Sequence, residues 1–451
     1  MRTRVALLTA MLLAGSIGRA AAAPPTADTS AKARPSAQAP AGEAAADLTM
    51  DRAVAFALAH NRDVIAARLG IREAELAEVE AAIYPNPVLS YSVGNLVIGR
   101  GNPNNVALGE SASPGFFSQT VHNVGISEII DIWSKRGARR NAAERGTLLR
   151  RDEVADVLRH IVHEVRSAFL EVGREESERE LRREMRARYA ETLRLSRARR
   201  AAGEIAESDL QKLELEGMKY DRDAIAADAE LDLARQKLAA LLGLLSGAEL
   251  PPSLRYEDPP NLELAAPALV AQAIERRPDV RAAEHARAYA EASLGSARRE
   301  ARPDLTLGLS YTHSEFIAAG DNPDSLGVGI ALPLPIFDRN QANIGRADLA
   351  MQRAANERSR LEVVVNREVG EAVRRVERAQ SLLALFEKGG TLERADRARQ
   401  VAERSYQAGA ISLLELLEAQ RTFLETRADY LRATYDYRQS RVDLRLAMGS
   451  D

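Results

Sequence analysis

The sequence predicts a mainly α fold with a small β part, in which one helix–strand–strand–long helix–helix unit occurs twice. Three observations carry this. Aromatic residues make up only 4% of the 451-residue chain while charged residues reach 28%, and Ala, Leu, Glu and Arg abound, a balance that favours long helices over a bulky globular core. Long proline-free stretches carry apolar residues at spacings of three and four, and four short stretches alternate apolar with small or polar residues. Finally, the two halves of the chain align with each other.

The alignment holds in four places in the same order. "NRDVIAARLG" (61–70) matches "RPDVRAAEHA" (277–286), with Asp63 opposite Asp279. "NPVLSYSVG" (86–94) matches "RPDLTLGLS" (302–310), with Pro87 on Pro303. "GISEIIDIWSKRGA" (125–138) matches "GIALPLPIFDRNQA" (329–342), with Trp133 opposite Phe337, and "AAGEIAESDLQKLELE" (201–216) matches "QAGAISLLELLEAQRT" (407–422), with Gly203 on Gly409. A period of roughly 210 residues is far too long for a solenoid, so the repeat marks two tandem copies of one structural unit.

Element by element, the N-terminus comes first. Arg2 and Arg4 precede an apolar run from Val5 to Leu13 and small residues at 20–23, the pattern of a secretory signal peptide (1–23) cut near Ala22 or Ala23. Residues 24–46, rich in Pro, Ala, Ser and Thr, read as a disordered leader. The first copy spans 47–250. A helix at 48–84 is stopped by Pro85 and Pro87, and strands follow at about 87–94 and 123–132 around a polar loop. A helix over 137–200 shows core spacing at Val154, Val157, Ile161, Val165, Ala168 and Val172. Some 60 helical residues would reach roughly 90 Å. A turn at Gly203 leads into a returning helix over 208–243. After a linker at 251–264, the second copy (265–451) repeats the order: helix 265–300, strands about 303–311 and 326–336, helix 341–404, turn 408–412 and helix 413–447. In the last strand Pro333 and Pro335 would sit where pairing ends, turning the chain into the helix.

A helix of this length has no globular core to lie on, so it must pack against other helices along its length. No stretch after the signal peptide offers the ~20 apolar residues of a membrane-spanning helix. Strands of about ten residues do suit a tilted bilayer crossing, and in lipid such a sheet must close on itself. Four strands cannot close, so a transmembrane barrel would be shared between chains. The alternative is a small soluble sheet capping a helical rod. Tyr91 and Tyr311 near the loop ends, and Trp133 and Phe337 at the helix ends, are placed as interfacial girdles would be.

Other chemistry is not indicated. A formal net charge of −3 offers no basic excess for nucleic acid, and the absence of Cys excludes disulfides, thiolate metal sites and an N-terminal lipid anchor. His160 and His163 in "HIVHE" supply too few ligands for a metal site, and a surface or packing role is expected for them. No nucleophile elbow, phosphate loop or cofactor motif suggests an enzyme.

The duplicated unit, the strand starts "PNP" and "RPD", the strand exits "EIIDIWSKRGARR" and "LPLPIFDRNQA", and the turns "AAGEIAESDL" and "YQAGAISLLELLEAQ" together resemble the TolC-like outer-membrane efflux proteins over essentially the whole mature chain. "IDIWSKRGARRNAA" is most similar to the CzcC-like heavy-metal efflux subgroup. The resemblance implies a homotrimer in the outer membrane of a Gram-negative bacterium, with a twelve-stranded barrel continued by a periplasmic helical tube. It also implies a periplasmic adaptor and an inner-membrane RND-type pump as partners. By the same resemblance Gly203, Glu204, Ile205, Gly409, Ala410 and Ile411 would meet the adaptor, and Asp209, Glu415 and Glu418 would ring the pore constriction. Two other functions fit the same elements: a duct for type I protein secretion, and a non-conducting periplasmic coiled-coil tether.

Overall fold

The computed structural model of the chain describes residues 48–96, 120–244, 254–255, 265–315 and 322–450. The expected signal peptide, the leader, most of the 251–264 linker and the middles of both hairpin loops lie outside the described residues. In chain order the elements are β1 (Leu48–Thr49), α1 (Met50–His60), α2 (Arg62–Ala82), β2 (Val88–Gly94), β3 (Val121–Ile130), α3 (Lys135–Ala201), α4 (Glu207–Leu241) and β4 (Leu254–Arg255). The second copy gives α5 (Ala266–Arg276), α6 (Pro278–Glu300), β5 (Leu305–Ser314), β6 (Asp324–Ala331), α7 (Gln341–Gly389), α8 (Thr391–Gln407) and α9 (Leu413–Met448).

Three expected helices are broken. The helix expected at 48–84 divides at Asn61, which leaves the helical region (φ −62°, ψ 133°). Its side-chain oxygen accepts the backbone N–H of Asp63 at 2.7 Å, capping α2. The helix expected at 265–300 divides at Arg277, because the ring of Pro278 disfavours helical backbone in the residue before it. The helix expected at 341–404 divides at Gly390 (φ +55°) and resumes to Gln407. Trp133 aligns with Phe337, 204 residues later, while Gly203 aligns with Gly409, 206 later. The buried pairs Val165/Val369, Ala168/Ala372 and Val172/Val376 still keep the 204 spacing, so the two extra residues fall in the stretch that holds Gly389–Gly390. By contrast α3 runs unbroken for 67 residues, about 100 Å at ~1.5 Å per residue.

Strand limits also differ. The strand expected at 123–132 is paired over Val121–Ile130, that at 303–311 over Leu305–Ser314, and that at 326–336 only over Asp324–Ala331. Pro333 and Pro335 therefore lie beyond the ladder, where a missing N–H removes no strand bond. The sheet is antiparallel throughout, in the order β2–β3–β5–β6. A second, parallel bridge joins β1 to β4.

Burial follows the duplication. One core cluster gathers Val64, Ile161, Val165, Phe169 and Leu238; its counterpart gathers Val280, Val365, Val369, Val373 and Leu444. Of the expected α3 core positions, Val157 is 41% exposed, and Val162 and Phe169 are buried in the same stretch. Each copy closes the same way at mid-height. The Asn61 amide donates to Leu241 O at 2.8 Å, and the Arg277 guanidinium to Ala447 O at 3.1 Å, so each helix break binds the carbonyl end of the returning helix. Arg159 adds a bond to Leu446 O at 2.6 Å and approaches Asp279 at 3.8 Å, tying the first copy to the second.

Candidate functional site

Register sorts the sheet into two unlike faces. On one lie Leu89, Val124, Ile126, Ile130, Leu305, Leu307, Leu309, Leu326, Val328 and Ile330. On the other lie mostly small or polar residues, Ser90, Ser92, Gly125, Ser127, Thr306, Gly308, Ser310, Gly327, Gly329 and Ala331, with Val88, Val121 and Ile129 toward the strand ends. The apolar face is largely exposed in the single chain, which a soluble sheet would not leave to water. Toward the loops that face changes character. Tyr91 and Tyr311 flank Val124; one residue pair further, His122 stands opposite His313. The Tyr91 hydroxyl meets His122 Nδ1 at 2.8 Å, and Asp324 receives the Tyr311 hydroxyl and pairs with His313 at 2.8 Å. Glu128 also lies on the apolar face, directly opposite Leu307, a placement that the sequence reading missed.

At the other end the strands pass into the long helices. Both Asp131 carboxylate oxygens accept backbone N–H groups, from Lys135 at 2.8 Å and Arg136 at 2.9 Å, and so cap α3 from outside its first turn. Trp133 donates its indole N–H to Pro303 O at 2.9 Å and lies beside Arg302, 4.8 Å from ring centroid to guanidinium carbon. In the second copy Asn340 (φ +59°) precedes α7 and donates to Ala297 O at 2.8 Å, while Phe337 is 91% exposed.

At the far ends lie the two turns. Gly203 (φ +77°) and Gly409 (φ +74°) each end a helix with the paired bonds of a Schellman turn: Gly203 N–H to Arg200 O and Glu204 N–H to Arg199 O, both 2.9 Å. The equivalents are Gly409 N–H to Tyr406 O at 3.0 Å and Ala410 N–H to Ser405 O at 2.8 Å. Arg199 fixes the turns side by side. It pairs with Glu204 at 3.0 Å and donates across the copies to Tyr406 O at 2.9 Å. Ile205 and Ile411 are half-buried, whereas Leu414 beside them is exposed.

The three carboxylates picked from the sequence are not equivalent. Glu415 belongs to a capping box, accepting the Ser412 N–H at 3.0 Å while its own N–H binds the Ser412 hydroxyl at 3.3 Å. Asp209 pairs with Lys212 at 3.4 Å, and Glu418 is exposed. Just inside the turns the chain is more cohesive. Tyr189 and Tyr220 stack at 4.7 Å with Leu213 and Phe423 around them; burial first, then Glu216 and neighbouring acids, push the Tyr220 hydroxyl up to about 12. His163 pairs with Asp443 of α9 at 2.9 Å and so serves packing between helices, whereas His160 is exposed and pairs with Asp156 of its own helix at 3.7 Å.

A sheet with one face made for lipid, running into helices several times longer than any globular core needs, defines the protomer of a channel with a membrane barrel and a helical tube. The chain belongs to the outer membrane efflux protein family, whose model matches residues 54–244 and 269–450. It is similar to the cobalt-zinc-cadmium resistance protein CzcC of Cupriavidus metallidurans, 28% identical over 86% of this chain and 87% of that protein. It is 26% identical to the pyoverdine export outer membrane protein OpmQ of Pseudomonas putida, over 89% of this chain and 85% of the relative. Among solved structures, the CusC channel superposes with a TM-score of 0.70 at 21% identity, covering 90% of this chain and 93% of that one. The protein is therefore an outer-membrane efflux channel component, and its fold is that of these channels.

Proposed function

We propose that three copies of this chain form the exit duct of a tripartite pump that expels divalent metal cations through the outer membrane. Twelve strands would close one barrel, with Tyr91, Tyr311, Trp133 and Phe337 at its two lipid boundaries. An inner-membrane pump of the RND type and a periplasmic adaptor would complete the assembly. Likeness to the cobalt-zinc-cadmium resistance protein over nearly the whole of both chains supports the metal cargo.

The observation that carries the duct reading is the pair of unlike faces on a sheet whose two edge strands are free, at one end of helices that run to two open turns. The turns are suited to receive the adaptor, because a side chain added at Gly203 would meet nothing within 4 Å. Residues 203–205 and 409–411 would form that contact. Asp209, Glu415 and Glu418, three copies each, would favour cations at the constriction. The Glu415 cap dictates the variant: glutamine retains a capping oxygen while removing the charge.

Deleting the gene from its host and restoring it tests the cargo. Lost resistance to cobalt, zinc or cadmium, regained with the wild-type chain, is expected; unchanged resistance would refute a metal cargo. In planar bilayers the Glu415→Gln/Glu418→Gln variant should lose cation preference. A chain that never conducts would instead indicate a structural tether.

A further inference from the structure

The apolar face of the sheet ends on the row Ile130–Leu305. Trp133 and Arg302 stand three residues beyond that row, about 10 Å further at ~3.3 Å per residue. With strands tilted by about 40°, that is roughly 8 Å along the membrane normal, the depth at which phospholipid headgroups flank the hydrocarbon core.

This joint is basic in a chain that is not. Residues 131–139 and 298–304 carry six cations, Lys135, Arg136, Arg139, Arg298, Arg299 and Arg302, against the carboxylates Asp131, Glu300 and Asp304, while the whole chain has a net charge of −3. Each carboxylate is already engaged. Asp131 accepts the Lys135 and Arg136 backbone N–H groups, Glu300 meets Lys135 at 3.6 Å and Arg139 at 3.4 Å, and Asp304 meets Lys135 at 2.9 Å. Arg298, Arg299 and Arg302 are exposed and have no carboxylate partner among the described residues.

Their geometry leaves them able to bind. The Arg302 backbone N–H closes a turn on Arg299 O at 3.0 Å, which keeps the three residues within one turn of backbone. Arg302 lies against the Trp133 ring, 4.8 Å from centroid to guanidinium carbon, and stacking uses none of its five N–H donors. Arg299 gives one N–H to Ser134 O at 3.0 Å and keeps the rest. The fold does not ask for these charges. In the first copy the aligned positions are Ala82, Ile83 and Asn86, and the chain passes there from helix to strand without them.

We propose that Arg298, Arg299 and Arg302, beside Trp133, hold the headgroup phosphate of an anionic phospholipid at the periplasmic boundary of the barrel. This inference rests on the lipid boundary assigned to Trp133 above. A guanidinium meets phosphate oxygens with two parallel N–H bonds, and indole rings favour the same depth of a bilayer. Charge selects the lipid. A zwitterionic headgroup would bring an ammonium to a joint where every carboxylate already has its donors, whereas phosphatidylglycerol brings none.

Trp133 is the only tryptophan of the chain, so its fluorescence reports this one place. The purified channel is reconstituted in phosphatidylcholine vesicles that carry equal fractions of either brominated phosphatidylglycerol or brominated phosphatidylcholine, whose bromines quench tryptophan on contact. Phosphatidylglycerol should quench more strongly, with an apparent binding constant about fivefold higher, the contribution of one arginine at an anionic surface. The Arg298→Gln/Arg302→Gln variant should lose that preference, and Arg302→Lys should retain most of it. Equal quenching of the wild type by both lipids would overturn the proposal and leave the lipid boundary standing; no quenching by either would overturn both. A preference that disappears in phosphate buffer but not in chloride of equal ionic strength would assign the arginines to free phosphate and overturn the lipid site. Where the double variant assembles poorly, Arg298→Gln alone serves, since Arg298 makes no hydrogen bond or ion pair among the described residues. An unchanged preference in that variant contradicts the proposal.

Discussion

Five glycines with positive φ end helices among the described residues, and four of them, leaving aside Gly390 in the break between α7 and α8, should not tolerate alanine equally. Gly203 and Gly409 end the far turns, and Gly243 (φ +74°) and Gly449 (φ +68°) end the returning helices at mid-height. Alanine in the left-handed region costs about 1 kcal/mol at any of them. The surroundings set the rest. A Cβ on Gly203 meets nothing within 4 Å, whereas on Gly243 it lies 2.5 Å from His60 O and on Gly449 2.8 Å from Arg277 Cα. Those neighbours are the backbone of the two helix breaks, already tied down by the bonds from Asn61 and Arg277, and overpacking against them adds about 1–3 kcal/mol. Gly203→Ala should thus destabilise by about 1 kcal/mol and Gly243→Ala by about 2–4. Urea unfolding of the detergent-purified chain, followed by circular dichroism, ranks the two. Equal losses would refute the claim that the mid-height glycines are held by close backbone approach. The same contrast separates stability from docking: a bulky Gly203→Leu change should lower metal resistance far more than it lowers the unfolding midpoint.

Further outcomes follow from charge. Arg277→Ala removes the main partner of the half-buried Asp279 and of Glu368, leaving Asp279 only Arg159 at 3.8 Å among cations, and should cost up to about 3 kcal/mol, seen as faster amide exchange at mid-height. Burial would raise the Asp443 carboxyl, but hydrogen bonds from His163 and Gln439 outweigh it and hold the group below its usual 3.8. The folded state therefore favours the carboxylate; that stability is present above pH 3.8 and is lost as pH falls through the lower folded value, so Asp443→Asn should flatten the acid limb of an unfolding profile. Glu128 faces the lipid side opposite Leu307, so Glu128→Leu should raise the temperature at which trimers dissociate in SDS; a fall would mean that the carboxylate has a partner in the assembly.

Most of the architecture was legible because it rests on periodicity. Alternation marked the four strands, three-four spacing marked the helices, and self-alignment marked the copies. The helix breaks were missed although their signals stand in plain sight: Arg277 precedes a proline and Asn61 is a capping residue. The apolar pattern runs straight across both, since the helices on either side of each break belong to the same core. Alternation overran the last strand for a related reason. Leu332, Leu334 and Ile336 continue the apolar period of Val328 and Ile330 and stay exposed, but side-chain period reports the facing of residues, not their pairing. Of the candidate site, the turns could be read from glycine and the change in pattern. The role of Glu415 could not, because a capping glutamate and a pore glutamate look alike until the Ser412 hydroxyl is in place.

Nor could the sequence show how differently the two hairpins are fastened. Six close ion pairs lace α3 to α4: Glu171–Lys237, Glu176–Arg235, Arg183–Asp228, Arg186–Asp221, Arg197–Glu214 and Arg200–Glu207. In the second copy the long helix meets the returning helix through one ion pair, Arg375–Asp443 at 3.7 Å between α7 and α9, and none joins α8 to α9 among the described residues. The second hairpin is instead held to the first, by Arg427 to Glu184 at 3.4 Å, by Arg199 to Tyr406 O, and by Phe423 in the cluster around Tyr189. Exposed pairs contribute only about 0–1 kcal/mol each, so six of them stiffen the first hairpin without dominating its stability. The consequence is positional. The first turn is located by its own hairpin, whereas the second is located largely by contacts with the first copy. Arg199 reaches Tyr406 O from the last turn of α3 and Ser196 meets the Tyr406 hydroxyl at 3.4 Å, so the two turns are also tied to each other directly.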